Sequence, residues 1–258
     1  MDAIAVVGLG CVLPNALRVA DFWAHVSTGQ LALSRVPMRA WDHALHYHPD
    51  RTVPDKSHAE LGGFVTGFDF DWRKYKVTPA DAQQVNPMQW MILEAGTQTL
   101  SGVRVLPRDT TGIFLGATSL GWQRDSGLQI RLEDMVDAVR ATDEFRALPP
   151  SRQQEVLELA TRQLRARLKE VSDDNVVGSS ASVAVGRINM QFDLKGAHYS
   201  VDAGYSSSLA ALDIAVRALR DGELDMAVAG GASEMLTPLE FIAFSKLGGL
   251  SSRNQVKP

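Results

Sequence analysis

The chain has 258 residues, 45% of them hydrophobic and 22% charged, with a formal net charge of −4. That composition fits one large or two small globular domains and gives no electrostatic case for nucleic acid or an anionic membrane. A single cysteine, Cys11, excludes an internal disulfide framework; no run approaches the ~20 apolar residues of a membrane span, and MDAIAVVGLG lacks the basic flank of a signal peptide, so a cytoplasmic location is the default expectation.

Residues 3–8 (AIAVVG) are continuously apolar and bounded by glycine, the pattern of a strand buried on both faces. Gly8-Leu9-Gly10 follows, but Leu13 stands where a dinucleotide fingerprint needs its third glycine, so a tight turn is the simpler reading. Residues 19–29 predict a short amphipathic helix with Phe22, Trp23 and Val26 on one side. Pro37, Pro49 and Pro54 break residues 35–62 into an irregular, largely surface segment. It holds His43, His46, His48 and His58, without an acidic or cysteine ligand at compatible spacing, so these read as loop histidines and no metal site is predicted.

Phe64, Phe68, Phe70, Trp72 and Tyr75 are too dense for plain surface and predict a loop anchored to the core or to a partner chain. Arg73, Lys74 and Lys76 beside them would suit nucleic-acid stacking, but Asp69 and Asp71 argue against it. Thr78-Pro79 and Asn86-Pro87 each start a helix with proline at its first position, the second carrying a buried stripe of Met88, Met91, Ile92 and Ala95. Residues 112–117 (GIFLGA) predict a second buried strand. Residues 128–171 are rich in arginine and glutamate, with apolar positions at helical spacing and a break at Leu148-Pro149-Pro150, which predicts a largely solvent-facing helical hairpin. Residues 176–191 predict a loop leading into a buried helix, closed by a turn at Phe192–Gly196.

The stretch 197–222 organises the rest. His198–Asp202 reads as a strand, Ala203-Gly204-Tyr205 as a sharp bend, and Ser206–Leu219 as a long helix with Gly222 at its C-terminal cap. Ser206, Ser207 and Ser208 lie where first-turn N–H groups need acceptors. Asp225–Gly231 follows as a third buried strand, making a βαβ unit in which Val201 and Val228 are expected on parallel neighbours. Residues 239–245 are amphipathic. A strand that ends at a helix N-terminus suits a nucleophile, because the free N–H groups favour developing negative charge. The residue at the tip is Tyr205, a poor nucleophile. Gly204 through Ser208 also misses the G-x-S-x-G hydrolase elbow, and no histidine follows to serve a serine.

VDAGYSSSLAALDIAVRALRDG resembles the nucleophile region of the β-ketoacyl synthases, the condensing enzymes of polyketide and fatty-acid synthesis, which usually read VDTACSSSL or DAACASSLAAL there. IAVVGLGCVLP resembles the family's first strand, IAIVGMGCRFP. Trp23, Pro37 with Arg39-Ala40-Trp41-Asp42, Gly62-Gly63-Phe64, Asn86-Pro87-Met88-Gln89 (family DPQQR) and Gly112–Gly116 (family GVFVG) match in the same order. The resemblance covers essentially all of residues 1–258, apart from an enlarged helical insertion at about 124–175. It implies an α/β, thiolase-like fold, as its N-terminal half only, with a mixed sheet and a buried nucleophile-elbow helix. No bound cofactor is implied. The family's substrates arrive on the phosphopantetheine of an acyl carrier protein, which is the implied partner along with a second copy or a complementary ketosynthase half.

Two departures bear on activity. The family's nucleophilic cysteine falls on Tyr205, and the small residue before it on Gly204. The family's two catalytic histidines come later in its sequence, whereas this sequence has none after His198. A helix N-terminus lowers the pKa of a cysteine from about 8.5, while an ordinary tyrosine near 10 stays protonated at neutral pH. The expectation is a chain that does not condense acyl groups alone, with Tyr205 plugging the acyl seat. Three roles fit: a ketosynthase piece completed elsewhere, a subunit like the chain-length factors that lack the cysteine and shape a partner's tunnel, or a cysteine-less decarboxylase, which would still need the histidines. Apolar residues on more than one face of helix 206–221 predict a dimer or complex in solution.

Overall fold

A computed structural model of the chain describes residues 3–117, 131–132, 134–166, 173–234, 236–251 and 253. In chain order its elements are α1 (Val19–Thr28), β1 (Ser34–Arg35), α2 (His43–His46), β2 (Leu61–Gly62), α3 (Pro79–Gln84), α4 (Pro87–Leu100), β3 (Thr111–Gly116), α5 (134–140), α6 (Asp143–Arg146), α7 (Pro150–Arg165), α8 (Asp173–Gly178), α9 (Ala181–Phe192), β4 (His198–Val201), α10 (Ser207–Arg220), β5 (Met226–Gly231) and α11 (Pro238–Leu247).

β3 is the centre of a parallel sheet in the order β4-β3-β5, and all of its residues are buried. Its side chains alternate between two helical layers. Ile113 and Leu115 join Trp90, Ile92 and Leu93 of α4 and Ala184, Val185 and Ile188 of α9. Phe114 joins Ala211, Ala215 and Ala218 of α10, with Leu224, on the opposite side. A strand covered on both faces has no polar side to show, which is why GIFLGA reads as a continuous apolar run. A third, smaller cluster of Val36, Trp41 and Phe241 lies under residues 34–64 and α11.

The helix starts follow the local chemistry. Thr78 Oγ1 accepts the Asp81 N–H at 3.1 Å and opens α3; Asn86 Oδ1 accepts the Met88 N–H at 2.8 Å and opens α4, each with proline at the first turn. The aromatic stretch is anchored to the core, as its density predicts. Phe70 stacks between Tyr75, with centroids 5.3 Å apart, and Trp90 at 4.2 Å, and the Arg187 guanidinium covers Trp90 at 4.4 Å. Burial holds the Arg187 guanidinium below its ordinary pKa.

Several expectations need correction. Residues 3–8 form no strand: Ile4, Val6 and Val7 are exposed, Val6 by 79%. The segment lies against α4, so close that a Cβ on Gly8 would sit 2.0 Å from the Thr99 carbonyl oxygen. An apolar run specifies that neighbours suit it, and among the described residues none pairs with it. The apolar side of α1 is likewise open, with Phe22, Trp23 and Val26 all exposed. β5 is only half-buried, because its outer edge has no partner strand among the described residues. Val201 and Val228 lie on parallel strands that are not neighbours, since β3 passes between them. Residues 35–62 are less superficial than their prolines suggest: Ser57, His58 and Ala59 are buried.

Within residues 124–175 the described part is helical in α5, α6 and α7, with Pro149 and Pro150 at the start of α7; Leu132, Val136 and Phe145 are buried there while α7 buries no residue. Residues 124–130, 133 and 167–172 lie outside the described residues. Among the described residues no helix is long and apolar enough to cross a membrane.

Candidate functional site

The predicted bend forms where β4 ends. The Val201 carbonyl accepts the Ala117 N–H at 3.0 Å as the last link to β3, and the chain then turns back on itself. Asp202 Oδ1 accepts the Gly204 N–H at 3.0 Å, an Asx turn. Gly204 has φ +58°, in the left-handed region that a side chain disfavours, which is the role glycine plays here. The Ser206 N–H then bonds the Ala203 carbonyl and the Ser207 N–H the Gly204 carbonyl, both at 3.2 Å, and α10 begins.

The serines act differently from the expected row of caps. Ser206 is the N-cap residue, but its side chain makes no cap bond. The hydroxyl that works is that of Ser207, which is 6% exposed. Its oxygen accepts the Ala203 N–H at 2.9 Å and it donates to the Gly204 carbonyl at 2.5 Å. The first turn of α10 sits directly on the end of β3: a Cβ on Gly116 would fall 2.2 Å from the Ser207 carbonyl carbon. Only glycine at that strand position lets the helix approach so closely.

Tyr205 stands at the tip of this bend and is 75% exposed. Its ring meets Phe244 of α11 edge to face, with centroids 5.6 Å apart. Next to Phe244, Ser245 is fully buried; its oxygen accepts the His58 backbone N–H at 2.8 Å and its hydroxyl lies 2.5 Å from His58 Nδ1. The pair ties α11 to the 57–60 segment. On α10, Leu209 and Leu212 are exposed, whereas Ala211, Ala215 and Ala218 pack with Phe114 of the sheet. α10 therefore carries two apolar faces, as predicted, with one covered and one open.

In the sequence Phe244 and Ser245 are marked only by the amphipathic run 239–245. A serine inside the apolar run LEFIAFSKL, on the face that also buries Phe241, is the signal that a buried partner awaits it. The histidines do not converge: among the described residues no three His, Cys, Asp or Glu side chains group as a metal site would require. His58, expected on a solvated loop, is buried by its bond to α11.

A second cluster of charged groups lies in an open cleft bordered by Leu9, Arg18, Lys74, Glu94 and Gln98. Lys74 Nζ bonds Glu94 Oε2 at 2.8 Å and the Tyr75 hydroxyl donates to the same oxygen at 2.5 Å. Burial alone would raise the Glu94 carboxyl, but the bonds from Lys74 and Tyr75 outweigh it and hold the group below its ordinary value. Burial raises the Tyr75 hydroxyl, and its bond to Glu94 raises it further. These groups satisfy one another and brace the aromatic loop on α4. None of the cleft's residues belongs to the bend.

The family described as "Beta-ketoacyl synthase, N-terminal domain" matches residues 1–258. The chain is 31% identical over 265 residues to erythronolide synthase EryA2 of Saccharopolyspora erythraea, covering 99% of this chain and 6% of that protein. It is 31% identical over 264 residues to the mycoketide-CoA synthase of Mycobacterium tuberculosis, covering 100% of this chain and 5% of that one. Among solved structures, the oxazolomycin ketosynthase domain OzmH KS7 of Streptomyces albus JA3453 superposes with a TM-score of 0.73 at 27% identity, over 98% of this chain and 38% of the other. The chain thus spans a small part of the curated relatives and well under half of that ketosynthase. The parallel sheet, its two helical layers and the strand-to-helix bend at Tyr205 are those of a thiolase-like fold, and the chain belongs to the β-ketoacyl synthase family, as an N-terminal domain of the polyketide synthase type.

Proposed function

We propose that this chain does not condense acyl groups and acts instead as a ketosynthase-derived partner subunit in polyketide or fatty-acid assembly. One observation carries the reading: the strand-to-helix seat that resembles the family's nucleophile position holds Tyr205. Acyl transfer from a carrier thioester needs a group that is nucleophilic at neutral pH; a thiolate is, whereas a phenol with an ordinary pKa of about 10 stays protonated there and attacks weakly. The test incubates the chain with acyl- and malonyl-loaded acyl carrier proteins. No β-ketoacyl product is expected, and any product overturns the reading.

The open face of α10 supports the partner role. Leu209 and Leu212 stand exposed, as does Tyr205 just before the helix, an apolar surface suited to a second copy or a complementary ketosynthase half in the cytosol. In a role like that of the chain-length factors, Tyr205 would close the acyl seat and the chain would shape a cysteine-bearing partner's product. Co-expression with such a partner, followed by mass spectrometry of the products, is expected to change chain length when Tyr205 is replaced by alanine.

A second reading, a piece of an acyl-transferring ketosynthase whose histidines lie in further sequence, is favoured by the 38% coverage of the matched ketosynthase. The same condensation assay on a polypeptide that contains a histidine-bearing second half separates the two: product formation with Tyr205 in place supports the second reading against the first.

A further inference from the structure

We infer that Ser207 is the positioning residue of the bend: its buried hydroxyl, bonded to both sides of the turn, fixes the direction in which residue 205 leaves the backbone. The inference rests on the reading of position 205 as the nucleophile seat.

The backbone bonds of the bend are few. The Ser206 and Ser207 N–H groups reach the Ala203 and Gly204 carbonyls at 3.2 Å each, and Asp202, an exposed side chain, holds the Gly204 N–H. A left-handed residue at 204 gives the chain no steric reason of its own to stay there, because glycine explores both signs of φ freely. Among the described residues, Ser207 is the one whose side chain spans the turn from the far side. By accepting from Ala203 at 2.9 Å and donating to Gly204 at 2.5 Å, it ties the residue that enters the turn and the residue that reverses it to the first residue of α10. Ser207 cannot drift, since its backbone rests on β3 at Gly116 and its side chain is 6% exposed. The hydroxyl therefore transmits the position of the rigid sheet to the glycine next to residue 205. Serine suits the position because it both accepts and donates; alanine keeps the volume and loses both bonds.

A thiol reports the geometry. The full chain carrying Cys11→Ser and Tyr205→Cys has its only thiol at position 205, and the pH dependence of its alkylation by iodoacetamide gives that thiol's pKa. With Ser207 intact, the value is expected about one pH unit below the ordinary ~8.5, from the free N–H groups at the start of α10. Adding Ser207→Ala is expected to return at least half of that shift, while Ser207→Thr, which keeps the hydroxyl, is expected to preserve it. A lowered pKa that Ser207→Ala leaves unchanged, or that alanine and threonine abolish alike, overturns the positioning role and leaves the seat reading intact. An ordinary pKa with Ser207 present overturns the seat reading.

Amide exchange then decides the positioning role on its own. In the protein with Tyr205 in place, Ser207→Ala is expected to speed exchange of the Ala203 N–H about tenfold while the β4 amides bonded to β3 hold their protection. Equal acceleration through β4 means that Ser207 only stabilises the fold, and an unchanged Ala203 N–H means that the bend does not depend on it; either result overturns the inference.

Discussion

Residues 3–8 and β3, AIAVVG and TGIFLG, are both short apolar runs that end in glycine, yet they have opposite fates. β3 has a strand on each side and a helical layer on each face, and every residue is buried. Residues 3–8 touch α4 through Gly8 and leave Ile4, Val6 and Val7 in solvent. Composition states what a segment prefers; the neighbours supplied by the rest of the chain decide what it obtains. α10 repeats the contrast within one element, with alanines pressed to the sheet and leucines left open.

The sharpest way to break the contrast is by substitution at equivalent places. Ile113→Ala is expected to cost about 2–5 kcal/mol in denaturant unfolding, whereas Val6→Ala should stay within about 0.5 kcal/mol. Similar losses at both would mean that residues 3–8 are covered in solution. Next in size is Gly116→Ala, where the added carbon must displace the α10 backbone at 2.2 Å; about 1–3 kcal/mol is expected. Gly102→Ala, with no atom within 4 Å of the new carbon, serves as its neutral counterpart.

The two faces of α10 separate through association rather than stability. Leu209→Ser with Leu212→Ser is expected to leave the unfolding free energy within about 0.5 kcal/mol and to shift the chain toward its 28.1 kDa monomer in sedimentation. An unmodified chain that is already a monomer would show that the open face needs no cover.

The smallest effect concerns the cleft. Glu94 is held below its ordinary pKa in the folded chain, so the stability it contributes is present above the carboxylate range and is lost as pH falls through the folded value. Because the group is partly solvated, that contribution is expected to be under about 1 kcal/mol. Glu94→Gln should flatten the acid side of the stability-pH curve by that amount, and an unchanged slope between pH 6 and pH 3 would remove Glu94 as its source.

Much of this was legible beforehand, for physical reasons that also mark where legibility stops. Apolar runs and helical spacing located β3, α4, α10 and α11, because those signals are local. Proline after Thr78 and Asn86 marked two helix starts for the same reason. The order β4-β3-β5 was hidden, since parallel pairing depends on which distant strand arrives, and the expected neighbours Val201 and Val228 ended on opposite sides of β3. At the bend the glycine and the serines were visible, but the division of labour between Ser206 and Ser207 was not. It depends on how near Gly116 lets the helix come, a contact between residues far apart in sequence. The bond of His58 to Ser245 was concealed likewise, across 187 positions.

The bend itself has a consequence for the gene. Among the described residues, the hydrogen bonds that shape it run through the side chains of Asp202 and Ser207 and not through that of residue 205. That side chain meets the rest of the fold through its ring contact with Phe244 and not through the bonds of the turn, so a lineage can exchange it without unmaking the bend. Cysteine and tyrosine codons differ by one transition at the second base, and alanine and glycine codons by one transversion. The distance in sequence space between a condensing elbow and Gly204-Tyr205 is therefore two nucleotides. Purifying selection on folding alone would not see the one at position 205.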